Sequence, residues 1–213
     1  MKILAIDTTA QFGSIALLED GVVLSELLLH APDGFSTILF DRIASLLQQR
    51  QVDAYASASG PGSFTGVRLG LTAVKGLAEA TGKPAIAVSN LEALAECGSA
   101  PLRAAVLDAR RGEIYGAVYD ADLRPVLPEV VTSFPVWLAT LPEGVEFVSP
   151  DFSPFRPALA SSRFADAMVT EQRGLAGAIG KIAYRRLLRG ERPDPAALDA
   201  NYIRRSDAEL HNP

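Results

Sequence analysis

The chain has 213 residues, of which 48% are hydrophobic, and a formal net charge of −5 at pH 7. This length suits one large domain or two small ones, and the negative charge argues against a domain that holds nucleic acid by itself, because such binding needs many Lys and Arg contacts to phosphate. One cysteine excludes an internal disulfide, and two histidines leave no zinc-type spacing. The apolar runs are shorter than a membrane span and no cleavable leader is recognised, so we expect a cytoplasmic protein.

The chain opens with three predicted strands. A buried-strand pattern over residues 2–6 ends in the polar run Asp7, Thr8 and Thr9, a second strand covers residues 14–18, and an Asp-Gly turn leads to a third over 22–29. Two interpretations of the polar strand end stay open. These side chains, with Ser14, could contact a metal-bound water or phosphate oxygens, or Asp7 could accept backbone N–H groups within a turn.

A helix is predicted over residues 35–49, and its apolar side chains cover more than one face. A helix lying on a sheet needs only one apolar stripe. The wider pattern therefore indicates burial on two sides, either deep within the domain or partly against another chain.

A glycine-rich segment, residues 59–68, precedes the next helix. Its three glycines and one proline predict a sharp turn that brings backbone N–H groups together. The segment fits neither a P-loop nor a dinucleotide fingerprint, because Gly66 is followed by Val67 and the glycines are spaced G-x-G-x-x-x-G. It is interpreted as a structural turn, with phosphate contact by Gly62 and Ser63 as the alternative.

The helix predicted over residues 66–81 carries a stripe of mostly small residues, and Gly82-Lys83-Pro84 ends it. An interior glycine costs roughly 1 kcal/mol relative to alanine. Close approach of a second helix would compensate that cost through denser packing. The pattern does not distinguish packing against the helix's own domain from packing against another chain. The stripe consists of Gly66, Gly70, Ala73, Leu77 and Ala80.

The opening pattern returns about one hundred residues later. Residues 104–110 form a buried strand with Asp108 in the place of Asp7, and a hairpin follows over residues 113–131. This duplication predicts two domains of related topology, 1–101 and 102–213, that face each other across a cleft, each with a mixed sheet.

The second half is thinner than the first. A short helix is predicted over 135–141, a strand over 147–149, a loop over 150–157 and a long helix over 175–189. We expect the last helix and the tail to pack back on the first lobe. The basic cluster over 185–192 is either a solvated helix end or a contact to tRNA in a complex. His30 and His211 are the two imidazoles, and no Ser/His/Asp set is found.

These residues together resemble the bacterial TsaB (YeaZ) family, a small relative of TsaD within the actin, sugar kinase and Hsp70 (ASKHA) superfamily. The resemblance rests on residues 3–8, 60–68, 108–115 and 202–204. It implies a duplicated actin-like α/β fold, in which two lobes each hold a mixed sheet flanked by helices and the second lobe is reduced.

The resemblance also implies a non-catalytic scaffold subunit of the machinery that installs the threonylcarbamoyl group on the adenosine next to the tRNA anticodon. In that family TsaD carries the catalytic metal, while TsaB-like chains bind TsaD through helices of the N-terminal lobe and support docking of the TsaE ATPase. We further expect a homodimer through the same helices when the chain is alone. Contact with tRNA is expected only through the complex.

By this resemblance, the helices predicted over residues 35–49 and 66–81 together form one half of a helical bundle, and the partner chain supplies the other half. The TsaD-type His-x-x-x-His metal pair is absent around residues 33–41, so neither a catalytic residue nor a metal ligand is predicted. No tightly bound cofactor is expected, which leaves weak binding of ATP, ADP or Mg²⁺ in the complex open. The predicted interface residues are Ile38, Leu39, Arg42, Ile43, Leu46, Gly66, Arg68, Leu69, Gly70, Ala73, Val74, Leu77 and Ala80.

The alternative function belongs to a different class. An independent nucleotide-dependent phosphotransferase or ATPase would use Asp7 and the Thr8-Thr9 turn, and a peptidase is the other enzymatic alternative. Nucleotide hydrolysis by the purified chain would distinguish these enzymes from the scaffold.

Overall fold

The first strands build a five-stranded mixed sheet. The strands β1 (Lys2–Asp7), β2 (Phe12–Glu19) and β3 (Val22–His30) are antiparallel, and β4 (Ala54–Ala58) and β5 (Ala85–Val88) continue the sheet parallel to β1. The strand order is β3-β2-β1-β4-β5. Strands β1 and β2 are buried along nearly their whole length, whereas exposed and partly buried side chains alternate along most of β3. The three helices of this part of the chain are α1 (Leu39–Leu47), α2 (Phe64–Thr81) and α3 (Asn90–Glu96).

The second sheet repeats this topology, as the duplicated pattern predicts. Its strand order is β10-β9-β6-β7-β8, with β6, β7 and β8 antiparallel and β6, β9 and β10 parallel. The strands are β6 (Leu102–Arg110), β7 (Glu113–Asp120), β8 (Pro125–Ser133), β9 (Val145–Ser149) and β10 (Val169–Glu171). Two helices, α4 (Phe134–Thr140) and α5 (Arg156–Ala160), belong to this part of the chain, and α6 (Ala176–Leu188) and a short 3-10 turn at Pro195–Ala197 follow the second sheet along the chain.

The computed structural model describes residues 1–203. The chain divides into a first unit, Met1–Ala93 with Arg173–Ala200, and a second unit that begins at Leu94. The first boundary between the units therefore falls within α3, a few residues before the boundary predicted after residue 101.

Helix α6 lies on the first sheet. A Cβ at Gly180 would overlap the Leu18 side chain, and the Ala176 N–H donates to Ser14 Oγ at 2.9 Å. Ile15 and Leu17 alternate with Ser14 and Leu18 along β2 and belong to the core beneath α1 and α2. Since side chains alternate between the two faces of a strand, α6 covers the face opposite to α1 and α2.

Each unit has its own hydrophobic core. The first is aliphatic around Leu4, Ile6 and Leu17, whereas the second is built from aromatic rings. These rings are Phe134, Trp137, Phe147, Phe152, Phe155 and Phe164. No helix within residues 1–203 is both long and apolar enough to cross a bilayer.

Three elements differ from the predictions. Helix α1 begins at Leu39 rather than at residue 35, because Phe35 lies in a separate turn before the helix. Phe35 is buried, and its carbonyl accepts from the Ile38 and Leu39 N–H groups. The segment 150–157 predicted as loop runs into α5, and the short strand β10 was not predicted. Both are too short to carry a clear periodic pattern.

Candidate functional site

The glycine-rich loop is packed directly on the turn that follows β1. The Ser63 N–H donates to the Thr9 carbonyl at 2.7 Å, and Thr8 Oγ1 donates to the Gly66 carbonyl at 2.7 Å. A Cβ at Gly62 would lie 2.7 Å from Thr9 Cβ, and one at Gly66 would overlap the Thr8 carbonyl oxygen. The loop glycines therefore bring two segments of the same unit together, and the Gly60–Pro61 peptide bond within the loop is cis.

Asn90 joins this loop to the end of β1. Its Oδ1 accepts from the Gly60 N–H at 2.9 Å, and its own N–H donates to the Gly60 carbonyl at 2.9 Å. Asn90 Nδ2 donates to Thr9 Oγ1 at 2.6 Å, and Thr9 Oγ1 in turn donates to Asp7 Oδ1 at 2.6 Å. We call Asp7, Thr9, Gly60 and Asn90 the polar network. Sequence reasoning missed Asn90, and its position between a buried strand and a helix was the available signal.

Asp7 is the charged member of the polar network. It is 2% exposed, and its Oδ1 also accepts from the Thr9 N–H at 2.9 Å. Burial raises the pKa of Asp7, the hydrogen bonds from Thr9 and Asn90 oppose that rise, and the charge of Glu26 adds to it. The balance leaves the pKa of Asp7 above the ordinary carboxyl value.

This geometry corrects the phosphate-contact prediction for four residues. Asp7, Thr8, Thr9 and Ser14 are all buried, and their side chains make hydrogen bonds within the unit. A phosphate could reach them only if the packed loop moved away. Gly62 and Ser63 are exposed, and Ser63 Oγ caps α2 by accepting from the Gly66 N–H at 3.4 Å. Phosphate contact by these two residues stays a prediction.

The N-terminus of α6 is occupied from within the chain. The Gly177 N–H donates to Glu26 Oε1 at 3.2 Å, beside the Ala176 to Ser14 hydrogen bond. A carboxylate is a favourable group at the positive end of a helix dipole. An external anion would have to displace Glu26 to use these N–H groups.

The predicted interface residues divide into two sets. Seven are buried in the first unit, so the prediction that they face a partner is corrected for them. The physical reason is that α2 packs closely on its own sheet: a Cβ at Gly70 would lie 2.8 Å from Ser57 Oγ and 2.9 Å from Thr8 Oγ1. The seven residues are Leu39, Ile43, Leu46, Gly66, Gly70, Ala73 and Val74.

The other six lie at the surface, where Arg42, Arg68 and Ala80 are exposed and Ile38, Leu69 and Leu77 are half-buried. Sequence reasoning left out Phe40 and Phe64, whose exposed fractions of 55% and 50% are high for phenylalanine. The Arg68 guanidinium lies 3.7 Å from the centroid of the Phe64 ring. We define the outer face of α2 by Arg68, Leu69, Thr72, Gly76 and Ala80.

Two arginines of the basic cluster near the end of α6 make contacts within the first unit. Arg186 pairs with Glu92 at 2.5 Å and donates to the Ala87 carbonyl at 3.0 Å, while Arg192 donates to the Leu187 carbonyl at 2.8 Å. These two arginines therefore stabilise local structure. Arg204, Arg205 and His211 lie outside the described residues. Residues 1–203 contain no group of three or more His, Cys, Asp or Glu side chains that could hold a metal ion.

Comparison with known proteins gives consistent matches. The family model described as "TsaD: tRNA N6-adenosine threonylcarbamoyltransferase" matches residues 39–148. The tRNA threonylcarbamoyladenosine biosynthesis protein TsaB of Bacillus subtilis is 36% identical over 153 residues, which cover 67% of this chain and 67% of that protein. The structure of YeaZ from Pseudomonas aeruginosa superposes with a TM-score of 0.76 at 25% identity, covering 94% of this chain and 99% of that one.

A more distant match shows a likeness of fold alone. The activator of 2-hydroxyisocaproyl-CoA dehydratase from Clostridium difficile, solved with bound ADPNP, has a TM-score of 0.54 at 7% identity over 89% of this chain and 97% of that one. The duplicated five-stranded sheets and these matches define a protein of the actin, sugar kinase and Hsp70 class of folds. Within that class, the chain belongs to the TsaB (YeaZ) family, whose members are related to TsaD.

Proposed function

We propose that the chain is a non-catalytic subunit of the machinery that makes threonylcarbamoyladenosine in tRNA, where it binds and supports TsaD. Membership of the TsaB family supports this proposal, and the observation that carries it is the outer face of α2. Nothing lies within 4 Å of the Cβ position of Gly76, which is therefore open to an approaching helix. Helix axes that pack together lie about 8–10 Å apart, and small residues permit the closest approach.

Exposed apolar side chains on α2, and on α1 of the same unit, support the same proposal. Phe64 and Phe40 are each about half exposed, and Leu69, Leu77 and Ile38 are partly exposed. Contiguous apolar surface with a polar rim is typical of protein interfaces, where aromatic and arginine side chains contribute most of the affinity. In this proposal the partner covers Phe64 and Arg68 together.

The remaining members of the assembly are proposed on the family resemblance. TsaE docks on the complex of this chain with TsaD, tRNA is contacted through that complex, and ATP, ADP or Mg²⁺ binds weakly if at all. The same surface forms a homodimer when TsaD is absent, since self-association is the simplest way to cover it. Light scattering should therefore give twice the chain mass at tens of micromolar, and a stable monomer would contradict the homodimer.

The test of the TsaD interface is Gly76→Leu with size-exclusion chromatography. A leucine at this open position leaves the fold intact but holds the partner helix away, so co-elution with TsaD of the same organism should be lost. Gly70→Leu would not test the interface, because the leucine would clash with Ser57 and Thr8 inside the unit and disturb the fold itself. Gly76→Ala should keep co-elution, and Lys181→Leu, which adds a leucine at an exposed position of α6, is the matched control. Unchanged co-elution of Gly76→Leu would contradict the interface.

An independent enzyme is the weaker proposal. It would need Asp7 to reach a reacting group, whereas Asp7 is buried and its Oδ1 already accepts two hydrogen bonds from Thr9. Nucleotide hydrolysis by the purified chain that disappears in Asp7→Asn would support the enzyme and overturn the scaffold.

A further inference from the structure

Three side chains of the first unit form a stacked cluster at the end of the β2–β3 hairpin. Phe12 and His30 pair across the two strands, and their rings stack with centroids 4.5 Å apart and an interplanar angle of 16°. The Arg173 guanidinium, just before α6, lies 4.9 Å from the centroid of the Phe12 ring. We call Phe12, His30 and Arg173 the stacking cluster.

The polar atoms of the stacking cluster face solvent. His30 and Arg173 are exposed, and Phe12 is partly buried between the strand and these neighbours. Within residues 1–203, neither the imidazole of His30 nor the guanidinium of Arg173 takes part in a hydrogen bond or an ion pair. Glu26, the nearest carboxylate along β3, is used at the N-terminus of α6 through Gly177. The positive charge of Arg173 is therefore available to a ligand.

We propose that the stacking cluster binds an unpaired RNA base and the phosphate next to it. Aromatic rings and arginine planes stack on the faces of bases in single-stranded RNA, and guanidinium N–H groups bind phosphate oxygens. The choice of RNA rests on the proposed function. The cluster is already assembled by strand pairing, so binding a base orders few additional side chains.

The chemistry also explains how a chain with a net charge of −5 can contact RNA. Non-specific binding to duplex RNA or DNA depends on many phosphate contacts and is disfavoured by this charge. Stacking of one base adds affinity that does not depend on net charge, and a single arginine supplies one phosphate contact. The cluster therefore selects an unpaired nucleotide, which gives the chain alone a weak affinity for single-stranded RNA at low salt and adds to the RNA affinity of an assembly.

The test is fluorescence anisotropy of the full chain at low salt with a fluorescein-labelled single-stranded RNA decamer. Phe12→Ala removes the ring on which His30 and Arg173 are stacked, so the base loses its stacking partner and binding should weaken about 5- to 100-fold, the range that loss of one base stack produces. Arg173→Gln should weaken binding and lower the slope of log affinity against log salt by about one. Arg50→Gln, which removes an exposed arginine after α1, is the matched control and should leave the affinity unchanged.

Two further variants keep the test decisive if Phe12→Ala folds poorly. Phe12→Leu keeps an apolar side chain in β2 but removes the ring, and His30→Ala changes only the exposed end of the cluster; both should weaken binding of the decamer. Equal losses for Arg50→Gln and Arg173→Gln, or no loss in any cluster variant, would overturn the proposal. So would equal affinity for blunt duplex RNA of the same length.

Other outcomes separate the alternatives. Displacement of the decamer by AMP at matched nucleotide concentration would mean that the site takes free nucleotides, which overturns the RNA assignment. If the cluster variants lose co-elution with TsaD while their RNA affinity is unchanged, the cluster is a protein contact and the proposal is wrong. Retained RNA binding with no TsaD binding at all would instead contradict the proposed function and leave the stacking cluster supported.

Discussion

Asp7 shows how one buried residue can be structural where its position suggests chemistry. It ends β1, in the place where a catalytic carboxylate would be expected, but its Oδ1 accepts two hydrogen bonds from Thr9 inside the unit. Asn90 and the Gly60 backbone complete the polar network. Buried polar groups that are fully hydrogen-bonded specify one packing arrangement, because breaking them leaves unpaired groups.

The first prediction concerns the pH dependence of Asp7→Asn. Burial raises the folded-state pKa of Asp7 above its value of 3.8 in the unfolded chain. Because the folded state holds the Asp7 proton more tightly than the unfolded chain, protonation of Asp7 stabilises the fold. This stabilisation is complete below pH 3.8 and is lost as the pH rises through the folded-state pKa, and each unit by which that pKa is raised corresponds to about 1.4 kcal/mol. We expect the free energy of unfolding of Asp7→Asn, relative to the natural chain, to increase between pH 4 and pH 8.

Urea unfolding at a series of pH values measures this difference. Asn at position 7 keeps an oxygen that can accept from Thr9, so the comparison isolates the charge. A difference that stays constant or decreases with pH would show that the ionised carboxylate is not penalised in the folded state.

The pKa of Glu146, in the second unit, is shifted in the opposite direction to that of Asp7. It is 1% exposed on β9 and accepts from the Ser99 and Ala100 N–H groups at 2.7 Å and from Thr170 Oγ1 at 2.6 Å. Burial raises the pKa of Glu146, but these hydrogen bonds and the charge of Arg103 outweigh burial and hold the pKa below 4.5. Glu146 thereby anchors the loop after α3 to the second sheet.

We therefore predict that Glu146→Gln destabilises the chain near neutral pH. The stabilisation from a lowered pKa is present above 4.5 and is lost as the pH falls through the folded-state pKa. Loss of hydrogen bonds to a charged group costs about 1.5–3 kcal/mol. Chemical denaturation at pH 7 and at pH 3.5 should show this loss shrinking at the lower pH. An equal loss at both values would mean that the charge of Glu146 is not involved.

At the scale of elements, the two faces of α2 differ in what they contact: one packs on the first sheet and the other is exposed. Gly66 and Gly70 let the helix approach β1 and β4, where Thr8 and Ser57 occupy the space that a Cβ would need. Gly76, on the outer face, has no such neighbour. The same residue type is therefore required by packing at one position and is free for partner contact at the other.

A matched pair of substitutions tests this difference. Gly66→Ala should destabilise the chain by roughly 1–3 kcal/mol, because the new methyl group overlaps the Thr8 carbonyl. Gly76→Ala should stabilise it by up to about 1 kcal/mol through helix propensity. Thermal unfolding would show shifts in opposite directions, at about 2–4 °C per kcal/mol for a chain of this size. A stabilised Gly66→Ala would contradict the packing described for the loop.

At the scale of the whole molecule, the chain leaves the first unit after Ala93 and returns to it at Arg173. Helix α6 then covers the second face of the first sheet, so this unit is complete only when both separate segments are present. The second unit has its own aromatic core, which contains Trp137, the one tryptophan of the chain.

This arrangement predicts that damage to the α6 contact affects mainly the first unit. Gly180→Leu places a side chain against Leu18, where even a Cβ would overlap. We expect the urea midpoint followed by far-UV circular dichroism to fall more than the midpoint followed by Trp137 fluorescence. If both midpoints fall equally, the two units unfold as one and the prediction is wrong.

Much of the fold could be predicted from local sequence pattern. The strands at the start of each half and the capped helix after the glycine-rich loop match the structure, whereas Asp7 is buried at the end of β1 and Asp108 is exposed before the end of β6. Strand alternation and turn residues act over a few positions, which is why they can be recognised without knowledge of the fold. The family could also be recognised, because its motifs are short and lie within these elements.

The candidate site could not be predicted in the same way. The spacing of Gly66, Gly70 and Ala73 shows that these residues share a helix face, but not what that face contacts. Asn90 and Thr9 are 81 residues apart, and no periodicity connects them. The stacking of Arg173 on Phe12 likewise depends on the return of the chain to the first unit.

The amino-acid sequence by itself therefore determined the duplicated α/β fold and the TsaB family, because both follow from short-range patterns. Only the tertiary structure decided that Gly66, Gly70 and Ala73 of α2 face their own sheet, that Asp7 is held in a buried polar network, and that α6 completes the first unit. These properties depend on which distant segments pack together, and spacing along the chain does not contain that information.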